Sequence, residues 1–449
     1  MKMKRRQKVI ILVALAGAVA LGLWLLYSWL YIWPEKAIQR ELAKIRSRGE
    51  PVTLEELAPP EIPGAENAAL IYEQALAVYY EPSRENGINL GKISGKDPAT
   101  WTEEDIAAIR EDLQKNKDCL HLLHQAANFD KSRFPIDYTL GLRILLPHLS
   151  KMRNFARLLA RDATLRAREG KIEEALESTR AGLRLRRGFL DEPILTSQLV
   201  RFAIDSLMFT TLQRILEEND ASPEILRRLL KELDIEKDRA AFARSLQGER
   251  CFQIDTYEKM IKDPALLAQM RSAGVYSSPP TISKAFRIMA SLARPVFRRD
   301  EIFALGIMQR MIEAAKLPYH QAKADLGKID QDILNAPRYR TISKMLLPAI
   351  TRAHLQEAQH EARIGLAQLA LALKIYKAEK GKYPDRLDDL VPEILPELPK
   401  DPFTGKDFVY KREGEGFLVY SLGENETDEG GKWEEKHPYQ HDIPWRCKR

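Results

Sequence analysis

Three short stretches carry side chains whose types suit metal or acid–base chemistry. Cys119, His121 and His124 offer a thiol and two imidazoles, the donors that zinc takes. His121 and His124 share a helix face at i, i+3, whereas Cys119 points about 200° from His121; no fourth donor follows nearby. His354, Glu357, His360 and Glu361 fall on one helical stretch. Their i, i+3 and i, i+4 spacings set imidazole beside carboxylate, a pairing used in general acid–base catalysis. The order is not the H-E-x-x-H of zinc proteases. His437, His441 and Asp442 form a looser donor group further on. The chain carries no nucleophile elbow, phosphate-binding loop or dinucleotide fingerprint. A carboxylate pair for glycoside hydrolysis has no local signature. Ordinary core or solvated polar residues account for the three stretches, and no catalytic residue is assigned.

A cationic pattern suits binding better than catalysis. Arg153, Arg157 and Arg161 repeat at i, i+4, and Arg180, Arg184 and Arg187 follow on the next helix. Twelve basic residues stand against five acidic ones between Arg143 and Arg187. Such a face is expected to dock an anionic polymer, a lipid headgroup or an acidic protein. Nucleic acid is not the expected partner. Of the formal charge of +6, five basic residues precede position 9, leaving 65 basic against 64 acidic residues elsewhere. That balance lacks the field of a nucleic-acid binder. Three scattered cysteines (Cys119, Cys251 and Cys447) suit neither a disulfide framework nor a CxxC zinc site.

These side chains must be positioned by helices, and the first helix is of a different kind. Val9 to Trp33 runs without a charge. Twenty-five helical residues span roughly 37 Å, enough to cross a hydrocarbon core of about 30 Å. Trp24, Tyr27, Trp29, Tyr31 and Trp33 crowd its later half, as aromatic anchors do at a membrane interface. Ala18-Val19-Ala20 imitates a signal-peptidase site, but cleavage there would leave an apolar new terminus. The expectation is a signal-anchor. Lys2, Lys4, Arg5, Arg6 and Lys8 before it favour an inner membrane with the N-terminus inside and the body outside the cytoplasm.

Residues 34–65 read as a juxtamembrane helix and a Pro-rich linker, Pro51 to Pro63. Residues 66–345 read as a helical domain built of αα-hairpins. Asn86–Thr100 is a polar loop before a helix opened by Thr102, and 261–299 is interrupted by Pro264, Gly274, Pro279, Pro280 and Pro295. Ala163, Gly170, Ala175 and Gly182 place small residues where a tetratricopeptide hairpin has them. One such unit fits that repeat and an ordinary αα-hairpin alike.

Residues 346–449 read as a long helix from about Ala349, ended by Gly381 and Pro384, then strands at Phe408–Lys411 and Phe417–Ser421. The stretch from Glu361 to Gly431 resembles the soluble part of type II secretion major pseudopilins and type IV pilin-like proteins. The matching pieces are Gly381-Lys382-Tyr383-Pro384, Leu387–Leu390, Asp401-Pro402-Phe403 with Gly405, and Val419-Tyr420-Ser421-Leu422-Gly423 with the acidic loop after it. The resemblance implies a small α+β module and a calcium site in that loop, with Asn425 and Asp428 as ligands and Asp442 closing it from the tail. A pilin carries its hydrophobic segment directly on this helix; here it lies far upstream, so a module is implied and not a fibre subunit.

The sequence thus predicts a mainly α protein: a transmembrane helix over 1–33, a helical central domain and a small pilin-like α+β module. The expected role is a single-pass, membrane-anchored envelope scaffold with a protein partner, associated with a secretion or pilus-like system. A membrane-anchored hydrolase of envelope polymers is the alternative.

Overall fold

The computed structural model describes residues 5–81, 90–262, 293–432 and 441–448. Its first helix, α1 (Arg5–Tyr27), passes through a π-helical turn at Ser28–Ile32 into α2 (Trp33–Ser47) without a break. Pro34 explains the wider turn: its ring crowds the carbonyl four residues back and it has no N–H, a conflict that a π-bulge relieves. Apolar side chains of α1 stand exposed, Leu12 and Trp24 among them. This helix is long and apolar enough to cross a membrane.

Below the bulge the same helix becomes part of the body. Ile38 and Ile45 of α2 are buried against Ile254 and Leu305. Arg298 grips Glu35 through Nε at 3.1 Å and Nη2 at 3.2 Å. Arg299 lies over the Trp29 ring, 4.2 Å from its centroid, and donates to the Trp29 carbonyl at 3.1 Å. The segment expected to be a linker is no loose tether. Val52, Leu54 and Leu57 are buried, the latter two in a cluster with Tyr138, Ile194 and Cys251.

The body is mostly helical: α3 (Ala68–Val78), α4 (Leu90–Gly95), α5 (Glu103–Lys115), α6 (Lys117–Ala126), α7 (Pro147–Arg168), α8 (Ile172–Arg184), α9 (Arg187–Leu190), α10 (Leu195–Glu218), α11 (Pro223–Leu230), α12 (Ile235–Lys262), α13 (Arg294–Ala315), α14 (Tyr319–Asn335) and α15 (Thr341–Lys380). Thr102 opens α5 with a full capping box, its hydroxyl taking the Asp105 N–H while the Asp105 carboxylate takes the Thr102 N–H. The hairpin expected from small residues is α7–α8. Gly170 makes its turn at φ 77, and Ala163 and Ala175 are fully buried. Gly182 is small for another reason: a Cβ there would strike Met208 of α10.

Two prolines behave otherwise than expected. Pro295 does not interrupt; it sits in the first turn of α13, where its missing N–H costs nothing. Pro348 does not delay α15, which begins at Thr341 and runs through it. Asp300 of α13 sets that start, its carboxylate accepting the N–H of Ile342 at 3.1 Å and the Ser343 hydroxyl at 2.5 Å.

Gly381 ends α15 in the left-handed conformation at φ 82, donating to the Lys377 carbonyl. Three antiparallel strands follow in the order β1 (Val409–Glu413), β2 (Gly416–Ser421) and β3 (Ile443–Cys447). Val409 pairs with Tyr420, and Phe417 with Cys447. The buried central strand β2 was expected and β3 was not, because Pro444 and the flanking charges mask a strand pattern. Asp401 pins the preceding loop to this sheet, accepting from Phe403 N, Leu422 N and the Ser421 hydroxyl. One hydrophobic cluster runs from Ala68 through α15 to Cys447, so the core does not divide at residue 345.

Candidate functional site

A cleft of about 1260 Å³ opens on the helical body. Its walls come from the extended segment at Gly49–Leu57, the loop at Asp130–Ser132, the turn into α9 at Arg186–Asp191, and the start of α12. Lys316, at the end of α13, adds a further edge. Seven basic and seven acidic side chains line it, so charges of both signs meet over a mixed polar and apolar floor.

Five of those seven acids, Glu50, Asp130, Glu232, Asp234 and Asp238, already have a basic partner. Glu50 accepts from Arg250 at 2.7 Å. Asp130 accepts from Arg187 at 2.6 Å. Glu232 is ringed by Arg184 at 2.7 Å, Arg187 at 2.9 Å and Arg180 at 3.8 Å. Three of the six arginines expected to form a cationic face thus converge on one carboxylate. The other three do not join them. Arg153 and Arg157 are exposed on α7, while Arg161 is buried and pairs with Asp112 at 2.8 Å. Beside the cleft, Arg180, Arg184, Arg187, Arg228 and Lys231 border a recess of about 310 Å³ that also holds Asp130 and Glu232. Five cations and two anions line it, and Glu177 pairs with Arg180 and Arg228 from outside the lining, which leaves an excess of basic residues at this corner.

Arg186 and Asp238 connect the cleft to a buried network that sequence reading missed. Arg186 and Arg201 both hold Asp238. Arg186 also reaches Asp205 at 3.4 Å, and His360 Nε2 lies 3.4 Å from Asp205 and 3.6 Å from Asp238. Burial and then the neighbouring Arg186 pull the Arg201 guanidinium down to about 9, still charged at neutral pH. Burial, followed by Arg201, holds His360 well below the ordinary imidazole range. Burial and Glu361 hold the Glu357 carboxyl well above its own. Both shifts favour the neutral form, and His360 is the neutral imidazole at pH 7.

Asp205, Asp238 and His360 bring donor atoms within 4.8 Å of one another, a metal-like spacing. A metal does not fit. Two guanidiniums already neutralise the two carboxylates, and a divalent ion would leave two excess charges in the core. The one available signal was Arg201 and Asp205 at i, i+4 inside the otherwise apolar QLVRFAIDSLMF.

The other sequence candidates do not assemble. His354 is buried with its ring nitrogens 3.0 Å from the Met311 carbonyl and 3.3 Å from the Ile350 carbonyl, its one N–H in the neutral form donating to one of them. Cys119 is fully buried, its thiol pushed up to about 12 by burial. His121 is exposed, and His124 lies 3.4 Å from the Ser178 hydroxyl. Ser178 donates to Asp162 at 2.5 Å. In a nucleophilic triad the acid orients the base and the base activates the hydroxyl; here the acid takes the hydroxyl directly, and Ser178 is fully buried.

His437 lies outside the described residues. His441 contacts Glu429 at 2.7 Å. Asp442 meets the acidic loop through N–H groups: its Oδ2 accepts from Glu429 at 3.0 Å and Gly431 at 2.7 Å. Asp428 accepts from the Tyr420 hydroxyl and Gly430 N, and Asn425 from Thr427 N. Each of these side chains gives one oxygen to local donors, while Asp442 Oδ1 is buried without a hydrogen-bond partner among the described residues.

No protein-family model, curated protein or solved structure matches this chain.

Proposed function

We propose that this protein is a single-pass, membrane-anchored scaffold whose helical body binds a protein partner outside the cytoplasm. In this reading α1 spans the inner membrane with the basic N-terminus inside. The body is then mounted rigidly, because α1 and α2 are one helix and Arg298 and Arg299 clamp its lower half to α13. The pilin-like module serves as the far wall of the scaffold, in keeping with an association with a secretion or pilus-like system.

The observation that carries the binding role is the state of the cleft. A general acid or base needs a proton-transfer group free to reach substrate. Of the seven cleft carboxylates, Glu50, Asp130, Glu232 and Asp238 are engaged by arginine, Asp234 by Lys237, and Glu56 accepts from the Val52 N–H; the neutral His360 lies in the core. Such a surface recognises a charged partner by exchanging ion pairs at the positive corner around Arg187 and Arg228.

Partner capture tests this. Full-length protein, tagged and solubilised in detergent, should retain an envelope protein that Arg187→Glu with Arg228→Glu releases. Protease added to cells with a permeabilised outer layer and intact inner membrane should digest the body. Protection until the inner membrane opens would sink the topology, and undiminished capture by the double variant would sink the cleft assignment.

A further inference from the structure

Beside the cleft, and sharing Lys131, Ser132 and Asp191 with it, lies a second pocket of about 250 Å³ under the segment Pro59–Pro63. Its walls are Pro59, Pro60, Pro63, Phe134 and Tyr138, and its polar end is Glu192. Glu192 is 4% exposed. His148 Nε2 comes within 2.9 Å of its Oε1. That imidazole lies flat on Phe134, ring centroids 4.4 Å apart, and is out of line for a hydrogen bond. Neither Glu192 oxygen accepts a hydrogen bond among the described residues, and the Ser132 hydroxyl is likewise buried without a partner.

A buried carboxylate without donors is costly and is ordinarily relieved by a cation carrying N–H groups. Here it closes a pocket lined by proline rings, Phe134 and Tyr138, with Glu61 and Asp191 set against Lys131 and Arg133 among the other lining residues, so that with Glu192 the acids outnumber the bases by three to two. Apolar sides suit methylenes, and an aromatic edge beside a carboxylate suits a compact positive charge. An ammonium brings three donors, which the Glu192 oxygens and Ser132 Oγ can take. Proline walls are pre-formed, so little ordering is lost on binding.

We propose that this pocket binds an alkylammonium group, with Glu192 as its counter-ion and Ser132 as a second acceptor. A lysine side chain of the cleft's protein partner and a free alkylamine share this chemistry. The inference deepens the binding reading above and rests on it for the lysine source.

Calorimetric titration of the full-length protein in detergent tests it with paired probes. Cadaverine is compared with 1,5-pentanediol, and acetyl-Gly-Lys-Gly-amide with its norleucine counterpart. The charged member of at least one pair should bind ten-fold or more tightly than its neutral isostere, and Glu192→Gln should erase that preference. A stronger preference in the peptide pair assigns the site to a partner's lysine; a stronger one in the diamine pair assigns it to a free amine. Equal affinities within both pairs would overturn the proposal, with no variant required. Failed partner capture with ammonium preference intact would count against the scaffold reading alone.

Discussion

Arg298 Nη1 donates to Glu301 Oε2 over 2.7 Å, and both side chains are buried where α13 meets the helix rising from the apolar segment. Arg298 also serves Glu35 and Glu258. Burial lifts the Glu301 carboxyl to about 7 despite this partner. The folded state therefore holds a proton that the unfolded chain releases near the ordinary glutamate value. Stability from this group is fully present below about pH 4.5 and is lost as pH rises toward 7. Urea unfolding at pH 5 and pH 8 should show wild type losing about 2–3 kcal/mol relative to Glu301→Gln across that interval. A constant difference between the two proteins would refute it.

Gly248 and Gly182 are both in helices and both close to a neighbour, yet they differ in what a methyl group would meet. At Gly248 the obstacle is the backbone carbonyl of Pro193; at Gly182 it is the flexible end of Met208. Gly248→Ala should cost about 3 kcal/mol, and Gly182→Ala about 1 kcal/mol. Met208→Ala should rescue the second and leave the first unchanged, as a double-mutant cycle would read.

Asp238 holds two buried guanidiniums. Asp238→Ala leaves Asp205 as the one carboxylate of the network facing both guanidiniums and should destabilise the protein by about 3–5 kcal/mol in urea unfolding. Zinc or manganese at millimolar concentration should leave the wild-type melting temperature within ~1 °C, because Asp205, Asp238 and His360 are neutralised by Arg186 and Arg201 and offer no free ligand set. A metal-dependent rise would contradict the assignment.

The acidic loop offers a parallel case with hydrogen bonds in the role of a cation. Chelator and millimolar calcium should give the same melt in the full-length protein. Asp442→Ala should lower stability by about 1–3 kcal/mol, having removed the acceptor for Glu429 N and Gly431 N. A calcium-dependent transition would restore the ion that the pilin resemblance implies.

The long apolar helix, the α7–α8 hairpin and the stop at Gly381 were all readable from residue order. Each depends on a property of one segment: hydrophobic content, period or the φ freedom of a glycine. The start of α15 was not readable, since its cap is Asp300, more than forty residues away. Nor was β3, whose pairing with β2 is decided by the sheet edge already waiting for it. The site followed the same division. Arginine periodicity marked Arg180, Arg184 and Arg187, but Glu232 at their centre arrives on a separate segment, and Asp238 meets Asp205 and His360 only when three helices pack. A segment's pattern is a one-dimensional quantity that local sterics and solvent read directly. The partner of a buried charge is chosen by which distant backbone the packing brings alongside, and nothing in a linear order of side chains encodes that distance.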